Sequence, residues 1–421
     1  MNFTSRFALA ALGLAICATA PATPALAKKK DDARPAQTIG EAIRKPLAEA
    51  DAAIKKKDVS AADTAITAAR AAANTPYEKY VVAQYALNNA QASGDQAKLA
   101  AALDELIATG EAAQQLTNQE RGKFYWYQGQ FAYAAKNYAK AEQALTAAVA
   151  AGTTEQDAYA ILADSQMRNG KPTEALRTLD TVIAAKTAAG QPVPNEWYGR
   201  GADMASRAKL PNEFVKITTA WLAAYPVKQN WHDSLFIYRQ MTGLAGDPDL
   251  DMLRLARFAG VLPLSTQASY VDYALAVYLR YPNEAVDVLQ EGISAGKINP
   301  ATSQNAREIL ALSKPKIAGD KASIPAAITA ANGPKATFKS ILTTGDLLYG
   351  YKDFARAAEM YRKALAKPGA DLGQTNFRLG LALAQAGDKD GARAALGAVT
   401  SGPYAPLAGY AKSWVDHPAT A

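Results

Sequence analysis

His232, His417 and Cys17 are the only imidazole and thiol side chains in the sequence. The histidines stand far apart, so a two-histidine metal site at helical spacing cannot form within one chain. Cys17 lies in an amino-terminal stretch that reads as a removed leader. That takes thiolate catalysis and disulfides out of the mature chain. His232 is followed by Asp233 beside Trp231, the order of a base and its orienting carboxylate. Successive residues of a helix point apart, so the pair is read as a groove or surface feature and not as a dyad. The carboxylate neighbours Asp104-Glu105 and Asp31-Asp32 are read as solvated faces, and nothing picks out a distant pair for glycoside cleavage. No glycine-rich phosphate loop or dinucleotide fingerprint occurs in a strand-to-helix setting. The expectation is a protein that is not an enzyme, with no cofactor and no metal.

The elements that would carry any site begin after the leader. Arg6 gives a positive start, Phe7 to Ile16 is an apolar run too short to span a bilayer, and Ala25-Leu26-Ala27 has small residues where a signal peptidase cuts. The expected mature chain starts at Lys28, is exported, and resides in the periplasm. Lipid anchoring through Cys17 is disfavoured, because Ile16 is bulky where that signal wants a small residue. No later stretch is long and apolar enough for a transmembrane segment. The formal net charge of +7 is small for 421 residues, which argues against a nucleic-acid partner. Lys28-Lys29-Lys30 reads as a frayed terminus, and Lys55-Lys56-Lys57 as cations at a helix carboxyl end.

Organisation is clearest between Tyr125 and Val182. Tyr125, Gln128, Gly129 and Ala132, followed by Ala141, Leu145 and Ala148, recur 34 residues later as Tyr159, Leu162, Ala163 and Gln166, followed by Ala175, Leu179 and Val182. Each half is one helical face, and Asn169-Gly170-Lys171-Pro172 breaks the second pair. The pattern resembles the tetratricopeptide repeat. The resemblance implies an all-α, right-handed superhelical solenoid of about nine helix pairs. Residues 1–27 are the expected signal peptide and 28–38 a disordered lead-in. Residues 39–313 are read as an amino-terminal solenoid of about seven pairs, the last two degenerate. Residues 314–335 follow as a hinge with one short helical fragment near 325–331. Two clear repeats with a capping helix fill 336–416, and 417–421 is a tail. Gly129, Ala163, Gly201, Gly345 and Gly380 are placed where the two helices of a repeat come closest.

In repeats of this kind the first helix of each pair lines the concave surface. Carried over by position, the resemblance puts Lys123, Trp126, Gln130 and Tyr133 in that groove, then Asp157, Asp164, Met167 and Arg168. Asn195 and Tyr198 follow, and after them Gln229, His232, Phe236 and Arg239. The aromatics of 124–133 cover every side of one helix, so core packing stays open for each of them. Trp197 and Trp231 sit at the consensus aromatic position and are read as structural. The carboxylate clamp of chaperone-binding relatives is absent, since its places hold Trp126 and Gln130, Ala160 and Asp164, and Tyr198 and Ala202. The expected function is a non-catalytic scaffold or adaptor in the cell envelope that binds a peptide or protein segment. The alternative is an accessory of cell-wall or polysaccharide machinery that binds glycan in an aromatic-lined groove. Self-association fits the same pattern.

Overall fold

Residues 37–155 and 157–420 are described by the structure, a computed structural model; the leader, its cleavage point and Cys17 lie outside them. Alanine-rich segments make helix after helix, because alanine loses no side-chain entropy on entering one. Among the described residues the only β pairing is an isolated bridge between Val227 and Thr420. Two compact units result, one of residues up to 135 with 143–155, the other of 136–142 with 156 onward.

The first unit holds α1 (Glu41–Lys55), α2 (Val59–Ala72), α3 (Pro76–Ser93), α4 (Gln96–Ala112), α5 (Asn118–Ala134) and most of α6 (Tyr138–Ala150). Its helices start where the sequence supplies caps. Asp58 and Asp95 accept from the first-turn N–H groups of α2 and α4, and Thr75–Glu78 and Thr117–Glu120 form reciprocal capping boxes on α3 and α5. Leu87, Leu103, Leu106 and Phe124 are buried between the pairs.

The second unit continues with α7 (Ala158–Arg168), α8 (Pro172–Ala188), α9 (Asn195–Arg207), α10 (Pro211–Ala224), α11 (Lys228–Thr242) and α12 (Asp247–Phe258). Then come α13 (Gln267–Val277), α14 (Pro282–Ser294), α15 (Gln304–Ser313), α16 (Ile317–Asn332), α17 (Phe338–Gly350), α18 (Phe354–Leu365), α19 (Leu372–Gln385), α20 (Lys389–Gly397) and α21 (Tyr404–Asp416). The small residues do stand where helices touch. A Cβ on Gly129 would lie 2.4 Å from Leu145 Cγ, on Gly345 2.6 Å from the Tyr361 ring, and on Gly380 2.5 Å from Leu396 Cγ. Ala163 is fully buried.

One expectation fails in this unit, and one element makes further contacts. The stretch 314–335 does not form a linker: a 3-10 turn at Lys314–Lys316 joins α15 to α16. Pro325 is tolerated inside α16 because the carbonyl its ring deprives, that of exposed Lys321, can turn to water. Helix α21, read as a cap on the last repeat, packs on α19 and α20 and also on α10 and α12. Tyr410 is fully buried there, its hydroxyl 2.7 Å from Thr218 Oγ1 and its ring edge-on to Tyr238. Phe258 meets Trp414, and Thr420 N–H donates to the Pro226 carbonyl while Lys228 N–H donates to that of Thr420.

The residues flanking the expected hinge are also bound by buried charge. Arg254 of α12 forks onto Glu284 of α14 at 2.8 and 2.7 Å and reaches Asp251 at 3.2 Å. Arg378 of α19 donates to both oxygens of Asp251 and, at 2.8 Å, to Asp346 of α17. Tyr404 donates to Asp251, Tyr273 to Glu284, and Tyr281 and Tyr361 to Asp346. Burial pushes the Glu284 carboxyl up, but the Arg254 guanidinium and the hydrogen bonds outweigh it and hold the group below its usual range. At Asp251 the same burial pushes upward against Arg378 and Arg254. Each carboxylate of the cluster accepts directed hydrogen bonds from an arginine and from a tyrosine, which is what makes its burial tolerable.

Candidate functional site

The groove residues fall in both units. Lys123, Trp126, Gln130 and Tyr133 recur at three- and four-residue steps along α5 of the first unit, and all four are half-buried. That spacing puts them on one helix face. Trp126 lies against Tyr127, ring centroids 4.5 Å apart, while the opposite side of the helix is occupied by buried Phe124 and Ala132. The aromatics of this helix therefore divide, with Phe124 in the core and Trp126 at its margin.

In the second unit the predicted residues meet three different fates. Asp164 and Arg168 on α7 bind each other at 2.7 Å, and Arg168 also lies over the Tyr138 ring and bonds its hydroxyl. Tyr198 is not a groove residue. It is 3% exposed, its ring is edge-on to Tyr225, and burial pushes its hydroxyl pKa up. The helix α9 turns it inward because Trp197 and Tyr198 both face the hydrophobic core beside Gly201. Trp197 and Trp231 are buried, as their consensus position implies.

Helix α11 keeps its predicted face. Exposed Gln229, half-buried His232 and Phe236, and Arg239 follow one another at helical steps, and the imidazole stacks on the Phe236 ring at 4.6 Å. The sequence argument that His232 and Asp233 cannot meet is corrected here: Nδ1 and Oδ1 are 3.0 Å apart. Nδ1 sits close to the backbone on the imidazole, and the short carboxylate beside it also accepts from Gln229 Nε2 at 2.8 Å. The contact orients the ring. Arg239 is committed as well, forking onto Asp249 at 2.6 and 2.8 Å and reaching Asp272 on α13 at 2.9 Å.

That last bond leads to residues the sequence reading did not single out. A shallow pocket of about 400 Å³ is lined by Gln267, Ala268, Val271, Asp272 and Leu275 of α13 and by 302–305 at the start of α15. Leu275 is 45% exposed and Leu279, one turn on, 71% exposed. Two exposed leucines four apart were a readable signal. The weak repeat register after Gly243 hid it. Asp251, Arg254, Glu284, Asp346 and Arg378 were missed too, although Leu250 to Ala256 carries two opposite charges inside an apolar run.

No family model matches the chain, and no curated protein does. Among solved structures, a tetratricopeptide repeat protein from Parabacteroides merdae aligns with 82% of this chain and 100% of its own, at 11% identity and a TM-score of 0.30. A chain of Naa15/Naa10 bound to HypK-THB aligns with 88% of this chain and 70% of its own, at 12% identity and a TM-score of 0.25. Superpositions that loose carry no argument about a site, and the fold stands on the helix pairs themselves. With Gly129, Gly201, Gly345 and Gly380 each pressed against the second helix of its pair, the chain is an all-α array of paired helices, the architecture that the resemblance to the tetratricopeptide repeat implied.

Proposed function

We propose that this protein is a non-catalytic scaffold of the bacterial periplasm that holds a peptide or protein segment on the first-helix faces of its second unit. One observation carries the reading. The Arg239–Asp272 bond joins the His232–Phe236 face of α11 to the α13 pocket, so apolar and hydrogen-bonding groups run together along one patch. Phe236, Val271, Leu275 and Leu279 offer apolar contact, and Gln229, His232, Gln267 and Asn305 surround it with donors and acceptors. An apolar strip rimmed by polar groups is what a protein-binding surface presents. The glycan alternative loses one of its two named aromatic positions, because Tyr198 is core.

The test is a photocrosslinking residue at Phe236 in cells, with mass spectrometry of the adducts. One dominant protein adduct, lost in Leu275→Asp while the helical circular dichroism is kept, supports the reading. Glycan adducts, or none, overturn it. Fractionation of the same cells and amino-terminal sequencing test export, the expected first residue being Lys28.

A further inference from the structure

Helix α16 is the least covered helix of the second unit. Ile317, Asp320, Ile324, Ala327 and Ile328 are half-buried on its inner side, packed towards α14 and α17, and Ala331 alone is buried. The outer side carries Ala318, Ala322, Ala326, Thr329 and Ala330, all exposed. Lysines stand at both ends: Lys314, Lys316 and Lys321 at one, Lys335 and Lys339 at the other. All five are exposed, and among the described residues none of them forms an ion pair, although Lys171, Lys216 and Lys352 elsewhere in the unit find Glu142, Asp180 and Asp287. The one acid of this stretch, Asp320, accepts from the Tyr351 hydroxyl at 3.0 Å on the inner side. Among the described residues these lysines therefore have no ion-pair partner.

We propose that the outer face of α16 is a docking surface for an acidic helix of a partner protein. Small side chains let a second helix approach closely, as Gly and Ala do between the paired helices of this chain. The lysines would meet carboxylates near both ends of the visitor. From Lys321 to Asn332 the helix advances roughly 16 Å, or about three turns, without an exposed charge. A formless polyanion would find nothing to hold along that length, whereas a helix with acidic ends and an alanine face fits it. A lipid surface fits less well, because interfacial helices insert large apolar or aromatic residues and this face has none. The surface is separate from the α11–α13 patch and does not depend on it.

The probe is a fluorescent synthetic helix of about 20 residues, long enough to be helical in water, with alanine along one face and glutamates near both ends. Anisotropy with the full chain is expected to show binding that weakens as salt rises. Binding should fall about tenfold or more in Lys316→Glu/Lys321→Glu/Lys335→Glu/Lys339→Glu, the combined loss of several modest charge contacts. It should fall similarly in Ala326→Trp, which keeps every lysine and, being exposed, should leave the circular dichroism and melting midpoint unchanged. Retained binding in Ala326→Trp overturns helix docking and leaves simple polyanion attraction. Absence of peptide binding overturns the proposal, as does binding to phosphatidylglycerol vesicles in preference to the peptide.

Discussion

Arg378→Met tests the buried charge cluster most sharply. Arg378 is 4% exposed and supplies two hydrogen bonds to Asp251 and one to Asp346. In the parent, three buried carboxylates, Asp251, Glu284 and Asp346, face two guanidinium groups, Arg254 and Arg378. Removing Arg378 takes from Asp251 and Asp346 the donor they share without letting water in. Stranding a buried partner in this way costs about 3–5 kcal/mol. The double variant Asp251→Asn/Arg378→Met removes the ionisable partner together with the cation and keeps an acceptor for the Tyr404 hydroxyl. It should recover at least about 1–2 kcal/mol, the usual penalty for a polar group left unsatisfied. Urea unfolding followed by tryptophan fluorescence reports mainly on this unit, since Trp197, Trp221, Trp231 and Trp414 belong to it and only Trp126 to the other. A single variant within about 1 kcal/mol of the parent would refute the reasoning, since an exposed ion pair is worth no more than that. So would a double variant no more stable than the single one.

Further predictions follow from other contacts. Gly380→Ala should destabilise the second unit by about 1–3 kcal/mol, because its Cβ would press on Leu396; an unchanged urea midpoint would count against the close approach. Tyr198→Ala should lower stability by about 3 kcal/mol as a core truncation, whereas Phe236→Ala should melt near the parent and lose the crosslinked partner. Glu78 accepts N–H bonds from Thr75, Gly40 and Asn74, which hold its carboxyl at about 2. That depressed value gives stability present above about 4.5 and lost as pH falls towards about 2. The melting difference between the parent and Glu78→Gln should therefore shrink over that window, and a constant difference would sink the assignment.

Much of the fold was legible because its signals are local. A glycine between two apolar helical faces, or a Lys-Pro or Gly-Asp break, specifies a helix pair without knowledge of the remainder, and α7/α8 and α19/α20 follow directly. Caps such as Asp58 and Asp388 mark the starts of α2 and α20 just as locally. The site was less legible, because position within a repeat says which side of a helix a residue occupies but not what covers that side. Tyr198 was placed by analogy on an open face that Tyr225 and the core close. Arg239 was placed correctly but bonds to Asp249 and Asp272. The hinge was misread because Pro325 and Gly319 lower helix propensity without forbidding a helix whose outer side is bathed in water. The burial of Asp251 and Arg378 depends on pairing across 127 residues, and no local pattern encodes that.

The return of α21 to α10 changes how this unit must be made. An open array of repeats can fold piecewise, each pair completing on its predecessor as the chain emerges. Here Thr218 waits for Tyr410, 192 residues later, and Asp251 waits for Tyr404. Until the last turns arrive, the surfaces of α10 and α12 lack their cover. Loop closure over so long a span slows folding, and the incomplete unit stays open to proteases and aggregation meanwhile. With α21 seated on α10 and α12, the carboxyl-terminal end of this unit is held by helices far back in the chain and does not fray by itself.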